Sequence, residues 1–405
     1  MLDAADCVLR NVHPYGAPDL QAGVSPRLGE NPLMRDQLLD LFLRLVAVPS
    51  QSGNEGAVAA TVSAYLRDEL GLTPEQDEAH RDSPAGCGNV LALLPATAPD
   101  RPTLLLNAHL DTVGHTTPIV PLVEGDVVRS QGDTILGADD KAGVALILLA
   151  ARRLLKAQLP HGDLWLVFTM AEEVGLWGAR RLDYARLHPW PELGYVLDGG
   201  REPGRMVIGA PAIASLDVTI TGRAAHAGVC PEQGVNAVAV AAQAIAGMQL
   251  GRLDEETTAN VGLIAGGSAR NIVPELCKFQ AEARSYVEAK LDRQVQHMRA
   301  AITAAAEAAG AHAQIEETRP HSAFVLSPDA PVVRRGWEAA ERAGLSPTTA
   351  RGGGASDANI FNEHGIPSLM LATGAANVHT PEEELRLEVM AGSLRWLVEI
   401  ITSNK

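Results

Sequence analysis

Short, almost continuously apolar runs alternate with helical segments along most of this chain. The runs are Asn89–Leu94, Thr103–Leu106, Leu164–Phe168, Tyr195–Leu197 and Pro367–Leu371. A strand that is apolar at successive positions must be covered on both faces, and helices joining such strands bring them parallel. The expected fold class is therefore α/β, a mainly parallel twisted sheet with helices on both faces. The leucine spacing from Met34 to Val46 predicts a first helix, ended by Pro49 and Ser50, and a second covers about 55–70. Ala142–Leu155 is apolar nearly all round and predicts a buried helix.

A different texture sets in after Ala210. Ser215–Thr221 alternates polar and apolar, as a half-solvated strand does, and an Ala/Val-rich helix covers Gly234–Met248. Runs at 259–264 and 277–283, a helix over about 291–309 and a run at 312–316 complete a β-α-β-β-α-β order. That order predicts an α+β open-faced sandwich inserted into the larger unit. Since 405 residues exceed what one core usually serves, the expected division is a larger unit over 34–210 and 326–405, with a smaller unit inserted over 211–325. Residues 1–33, rich in proline and glycine, read as an irregular leader.

The chemistry-bearing residues share one placement. Thr103–Ala108 runs into His109 and Asp111; Leu164–Met170 into Glu172 and Glu173; Tyr195–Leu197 into Asp198; and Pro367–Ala372 leads to His379. Asp139, with Asp140 and Lys141, opens the buried helix. Ligands of open α/β sheets gather outside the carboxyl ends of the strands, so imidazoles and carboxylates converging there predict a metal site. Oxygen and imidazole donors together suit zinc, with cobalt or manganese as substitutes. Two ions about 3.5–4 Å apart need a bridging carboxylate. Asp139 fits that place, with His109 and Asp198 completing one ion and Glu173 and His379 the other. Asp111, two residues from His109 in an extended segment, is positioned to hold the imidazole's second N–H. Adjacent Glu172 and Glu173 need different jobs, one as ligand and one to move a proton.

The strings Asn107-Ala-His-Leu-Asp-Thr-Val113, Gly137-Ala-Asp-Asp-Lys-Ala-Gly143, Ala171-Glu-Glu-Val-Gly175 and Asn377-Val-His-Thr380 resemble the M20 metallopeptidases, and within them the peptidase T-like (tripeptidase) branch. The resemblance covers about 35–400. It implies a zinc-peptidase-like catalytic domain and a co-catalytic pair of Zn²⁺ ions on His109, Asp139, Glu173, Asp198 and His379. It also implies Glu172 as general base, Asp111 behind the ligands, and a lid often used for dimerisation. In the lid, Gly222-Arg-Ala-Ala-His226-Ala-Gly228 is similar to a segment whose histidine holds the substrate carbonyl. Asn271 and Arg284 match lid positions that contact substrate, and Gly353 lies in Gly352-Gly-Gly-Ala-Ser-Asp357, similar to a strap lining the pocket.

The function so implied is removal of the N-terminal residue from short peptides through a metal-bridged water activated by Glu172. The same metal chemistry would also serve an N-acyl or N-carbamoyl amino acid amidohydrolase. A non-catalytic peptide-binding protein would be marked by loss of Glu172 or of ligands, and all are present. Other residues read as structural: His115 and His364 as framework, Asp140 and Lys141 as shaping the turn.

A net charge of −16 disfavours nucleic acid or anionic membrane as partner. No apolar run approaches the roughly 20 residues of a membrane span. The start shows no basic-then-apolar secretory pattern, and Cys7, Cys87, Cys230 and Cys277 are too scattered for a disulfide framework. A cytoplasmic enzyme acting on short peptides or N-acyl amino acids, dimeric through its lid, is the expectation.

Overall fold

The computed structural model describes residues 32–81, 86–114 and 118–404. The leader up to residue 31, Cys7 and His115 lie outside them. The chain divides into two compact units. One takes the described residues up to Gly209 with Leu326–Gly352 and everything from Ser356 onward; the other takes Ala210–Val325 with Gly353–Ala355.

In the first unit, Leu104–His109 and Leu164–Thr169 are buried at every position. Successive side chains of a strand point to opposite faces, so both faces of the sheet are covered. Across the sheet the strands run Glu75–Gln76, Val90–Leu94, Leu164–Thr169, Leu104–His109, Leu193–Val196, Ser368–Leu371, Arg205–Val207 and Thr348–Ala350. The four central strands are parallel, which gathers their carboxyl ends on one edge. Antiparallel pairings enter at the flanks, so the sheet is mixed around a parallel centre.

The buried helix runs Ala138–Ala157, four residues further toward the N-terminus than hydrophobicity alone suggests. The extension holds Asp139 and Asp140, whose backbone angles are not helical and whose polarity hides that turn from an apolar pattern. The helix packs on Leu104–His109 and on the helices Pro32–Val46 and Leu387–Thr402. Leu146, Ile147 and Leu148 are fully buried there, each contributing roughly 1.5–3 kcal/mol. The first helix starts at Pro32 rather than Met34, with proline in the first turn where no N–H is needed. A small sheet absent from the sequence reading joins Ala375–Ala376, Glu384–Arg386, Val127–Ser130 and Pro121–Glu124. Its strands are two to four residues long, too short to show a period.

The second unit is an antiparallel sheet in the order Gly251–Arg252, Thr257–Gly266, Leu276–Ser285, Ala212–Thr221 and His312–Thr318. Ala212, Ala214, Leu216, Val218 and Ile220 are buried while their neighbours are more open. The helices Ala237–Ala246 and Glu288–Ala309 share one core with that apolar face. This is the open-faced sandwich.

Among the described residues no helix is long and apolar enough to cross a membrane. His364 stacks on Tyr184 with ring centroids 3.7 Å apart, a framework contact.

Candidate metal centre

His109 closes its strand at the carboxyl edge, and contacts from Asp111 fix the orientation of its ring. Nδ1 lies 3.1 Å from the Asp111 carbonyl oxygen and 3.3 Å from Asp111 Oδ1. Both are acceptors, so Nδ1 carries a proton, which leaves Nε2 as the nitrogen that could meet a cation. That Nε2 lies 3.1 Å from Asp139 Oδ1. The other oxygen of Asp139, Oδ2, lies 3.2 Å from His379 Nε2, which is also 2.8 Å from Glu173 Oε1. Two donor groups result, His109–Asp139–Asp198 and Asp139–Glu173–His379, each with ligand atoms within 4.8 Å of one another. Asp139 belongs to both. A third group joins His109, Glu172 and Glu173.

This donor set fits a pair of divalent cations. A lone pair on imidazole facing a carboxylate oxygen needs a proton or a cation between them, and a single carboxylate serves both imidazoles here. The charge balance agrees. Burial alone would lower the pKa of His109, yet the carboxylates of Asp111 and Asp139 drive it well above the usual imidazole range. Hydrogen bonds to Asp139 and Glu173 push His379 up to about 10. Burial and the Asp139 charge raise Asp198. Burial raises Glu172 as well, opposed by His109 and reinforced by the charges of Asp198, Asp357 and Glu173. Asp139 is held well below its ordinary value: burial opposes this, and the two imidazoles outweigh it. Carboxyl groups outnumber the imidazoles here, and the raised Asp198 and Glu172 reflect how costly it is to bury that many like charges together.

The turn that carries Glu172 and Glu173 is held by side chains from three distant segments. Asn89 Oδ1 accepts the Met170 N–H at 3.1 Å, and Glu55 Oε1 accepts the Ala171 N–H at 3.1 Å. Asp111 accepts the Glu172 N–H through Oδ1 at 2.9 Å and the Glu173 N–H through Oδ2 at 3.1 Å. Ser52 Oγ donates to Asp111 Oδ2 at 2.6 Å. Ala171 has φ 50° and His379 φ 65°. Left-handed backbone at non-glycine residues persists only where surrounding bonds over-determine it, and the amides held by Glu55 and Asp111 do so at Ala171.

Asp140 and Lys141 shape the neighbouring turn. Asp140 accepts the N–H of Gly143 at 3.1 Å and of His109 at 3.3 Å. Buried Lys141 Nζ donates to Ser50 Oγ and, at 2.8 Å, to the Leu110 carbonyl.

In the second unit His226 is exposed on a short antiparallel pairing with Ile272–Val273, and the Asn271 carbonyl accepts the Ala227 N–H at 3.0 Å. His226 Nδ1 accepts the N–H groups of Gly228 and Val229 at 3.2 and 3.1 Å. Its Nε2 therefore carries the proton and is a donor. Arg284 donates to both oxygens of Glu282 and, at 3.1 Å, to the Gly353 carbonyl. Arg284 and Gly353 are thus direct partners, as are the segments of His226 and Asn271.

Glu55, Asn89, Asp357 and Glu383 went unrecognised in the sequence. Asp357 is buried, accepts from Thr169 Oγ1 and has a second oxygen, Oδ1, without a hydrogen-bond partner; burial raises its pKa to about 6. Glu55 follows Ser52-Gly-Asn directly before a helix, and Glu383 follows His379 within one loop. Those positions were the only local signals.

Comparison with known proteins places the chain. The model of peptidase family M20/M25/M40 matches residues 105–403. The chain belongs to that family. As a member of M20/M25/M40 it is a metal-dependent peptidase. It is 37% identical to the uncharacterized protein YqjE of Bacillus subtilis over 90% of this chain and 97% of that one. The aminopeptidase PepT of Bacillus cereus superposes with a TM-score of 0.84 at 38% identity, covering 91% of this chain and 98% of that one. A tripeptidase of Staphylococcus aureus superposes at 0.87 with 36% identity over the same shares. The peptidase T likeness of this M20 chain thus extends from its motifs to its fold.

Proposed function

We propose that the chain is an aminopeptidase that removes the N-terminal residue from short peptides, using two metal ions and Glu172 as general base. The observation that carries this reading is Asp139, whose two oxygens face two different imidazoles, with buried Glu172 beside them. The proposed ligands are His109 and Asp198 on one side of Asp139, and Glu173 and His379 on the other. Zinc suits these donors, with cobalt or manganese able to replace it. When bound, the pair would acidify water and polarise the scissile carbonyl.

The chain's own residues do the rest. Glu172, raised by burial, accepts a proton from the attacking water and returns it to the departing amine. Asp111 keeps His109 in the tautomer that offers Nε2 and pins the Glu172 backbone. His226, with Nε2–H outward, donates to the substrate carbonyl as charge develops there. Asn271, whose carbonyl accepts the Ala227 N–H, and Arg284, which donates to the Gly353 carbonyl, are the further substrate contacts of this reading.

The same reading makes 34–210 with 326–405 the catalytic domain and 211–325 a lid. Thr257–Gly266 pairs with Gly251–Arg252 only through Ala259 and Thr258, and beyond them Leu263 and Ile264 are exposed on that edge. Such an edge supports pairing with a second copy of the lid. The free thiols of Cys87, Cys230 and Cys277 suit a reducing, cytoplasmic setting.

The test is amino-acid release from di-, tri- and N-acetylated peptides, with added Zn²⁺ or Co²⁺, beside a chelated control and Glu172→Gln. Metal-dependent cleavage confined to free-amine peptides and lost in Glu172→Gln is the expected result. Cleavage confined to acylated substrates would replace the aminopeptidase reading with an N-acyl amino acid amidohydrolase.

A further inference from the structure

We infer that Glu383 is a positioning residue that sets Asp139 between its two imidazoles and ties it to the loop bearing His379. This rests on the reading of Asp139 as the carboxylate shared by two ions. The Glu383 side chain is buried and spends both oxygens on one stretch of backbone. Oε2 accepts the N–H groups of Leu136 and Gly137 at 2.7 and 2.8 Å, and Oε1 accepts that of Asp139 at 3.0 Å. Gly137, at φ 72°, has no side chain to offer as N-cap, and Asp140 accepts the Gly143 N–H further along. The N–H groups of Leu136, Gly137 and Asp139 find their acceptor in a carboxylate more than 240 residues away in sequence.

Glu383 reaches this place because of the small sheet. Ala375–Ala376 pairs with Glu384–Leu385, closing a loop over 377–383 that carries both His379 and Glu383. The loop is internally braced: Glu383 N–H donates to the Thr380 carbonyl at 3.1 Å, and Thr380 Oγ1 donates to the Asn377 carbonyl at 2.7 Å. One loop therefore presents an imidazole to Asp139 Oδ2 and a carboxylate to the Asp139 N–H. Side chain and backbone of the shared residue are fixed by the same loop, so the two halves of the site are built as one unit. Charge-assisted bonds to three amides hold geometry firmly, and an amide in place of the carboxylate would aim N–H donors at N–H donors.

A simple helix cap would give stability alone. Metal affinity, read far below the melting temperature, separates the two roles. Zn²⁺ and Co²⁺ binding to the full chain would be measured by equilibrium dialysis and calorimetry for wild type, Glu383→Gln and Glu383→Asp, with exposed Glu382→Gln as control. The expected result is two ions on wild type and on Glu382→Gln. Binding about 10- to 100-fold weaker is expected in both Glu383 variants, because the shorter aspartate keeps the charge but not the reach.

Unchanged affinity in both variants would overturn the inference while leaving the two-ion reading intact. So would full rescue by Glu383→Asp, which would mean that charge alone matters. Wild type taking fewer than two ions would overturn the reading and this inference with it. Amide exchange on chelated wild type needs no variant to fold. Protection at Leu136, Gly137 and Asp139 is expected before any metal is added, and free exchange there would overturn the assignment.

Discussion

Asp111 Oδ1 accepts the backbone N–H of Glu172 at 2.9 Å. The residue that orients the His109 imidazole is thus also the residue that seats the proposed base, and both functions draw on one buried carboxylate. Burial would raise the Asp111 pKa, but the His109 hydrogen bond and charge, with Ser52 and the Glu172 amide, hold it below the ordinary value. It therefore stays ionised at neutral pH, as both tasks require.

Asp111→Asn turns an N–H₂ group toward backbone donors and removes the charge beside His109 Nδ1–H. Metal affinity is expected to fall about 10- to 100-fold with the sheet intact. Dialysis of the variant against buffered zinc, with far-ultraviolet circular dichroism as the fold control, would check this.

Glu55 separates hydrogen bonding from charge. Its Oε1 accepts Gly53 and Ala171 amides, while Oε2 is buried without a partner, and burial raises its pKa. Glu55→Gln keeps one oxygen for both amides and is expected to retain near-normal kcat. Glu55→Ala orphans two N–H groups at about 1–3 kcal/mol each and frees the turn before Glu172. A fall in kcat on the order of 100-fold is expected, and steady-state kinetics on the pair would show whether the split exists.

Gly143 lets the buried helix approach the segment that follows the strand Leu193–Val196 and leads to Asp198. A Cβ there would lie 2.4 Å from Asp140 Oδ1 and 2.6 Å from the Leu197 carbonyl. Gly143→Ala is expected to cost about 1–3 kcal/mol of stability and to lower metal content by displacing Asp140 and Asp198. Thermal denaturation and metal analysis of the purified variant would test both effects.

Cys87 gives a pH dependence of defined sign. Burial, helped by the charges of Glu55, Asp111 and Asp77, pushes its thiol up to about 12. The folded chain keeps this proton while the unfolded chain releases it above about 8.5. The unfolded state then binds fewer protons, so stability falls as pH rises from about 8.5 toward 12, by on the order of 1 kcal/mol per unit. Cys87→Ala is expected to flatten that alkaline limb in denaturant titrations. Native wild type at pH 8 is expected to leave Cys87 unmodified by iodoacetamide, since the thiolate is the nucleophile.

Much of the sheet was legible because a strand covered on both faces must be largely apolar at successive positions, as Leu104–Leu106 and Leu164–Phe168 are. The chemical side chains were legible for a related reason: His109, Glu172, Glu173 and Asp198 break those apolar runs at their carboxyl ends. Length and polarity hid the rest. The strands that frame His379 are too short to carry a period, and Asp139 begins its helix in a turn that no apolar pattern includes.

The sequence by itself determined the layered architecture, the inserted sandwich and the identity of the acids and imidazoles at the strand ends, since each is written in local patterning. Only the tertiary structure decided how those groups are held. The Ala171 N–H finds Glu55 across 116 residues, Met170 finds Asn89 across 81, and Asp139 finds Glu383 across 244. A buried amide needs an acceptor, but nothing local says which distant side chain supplies it, because that choice is made by packing.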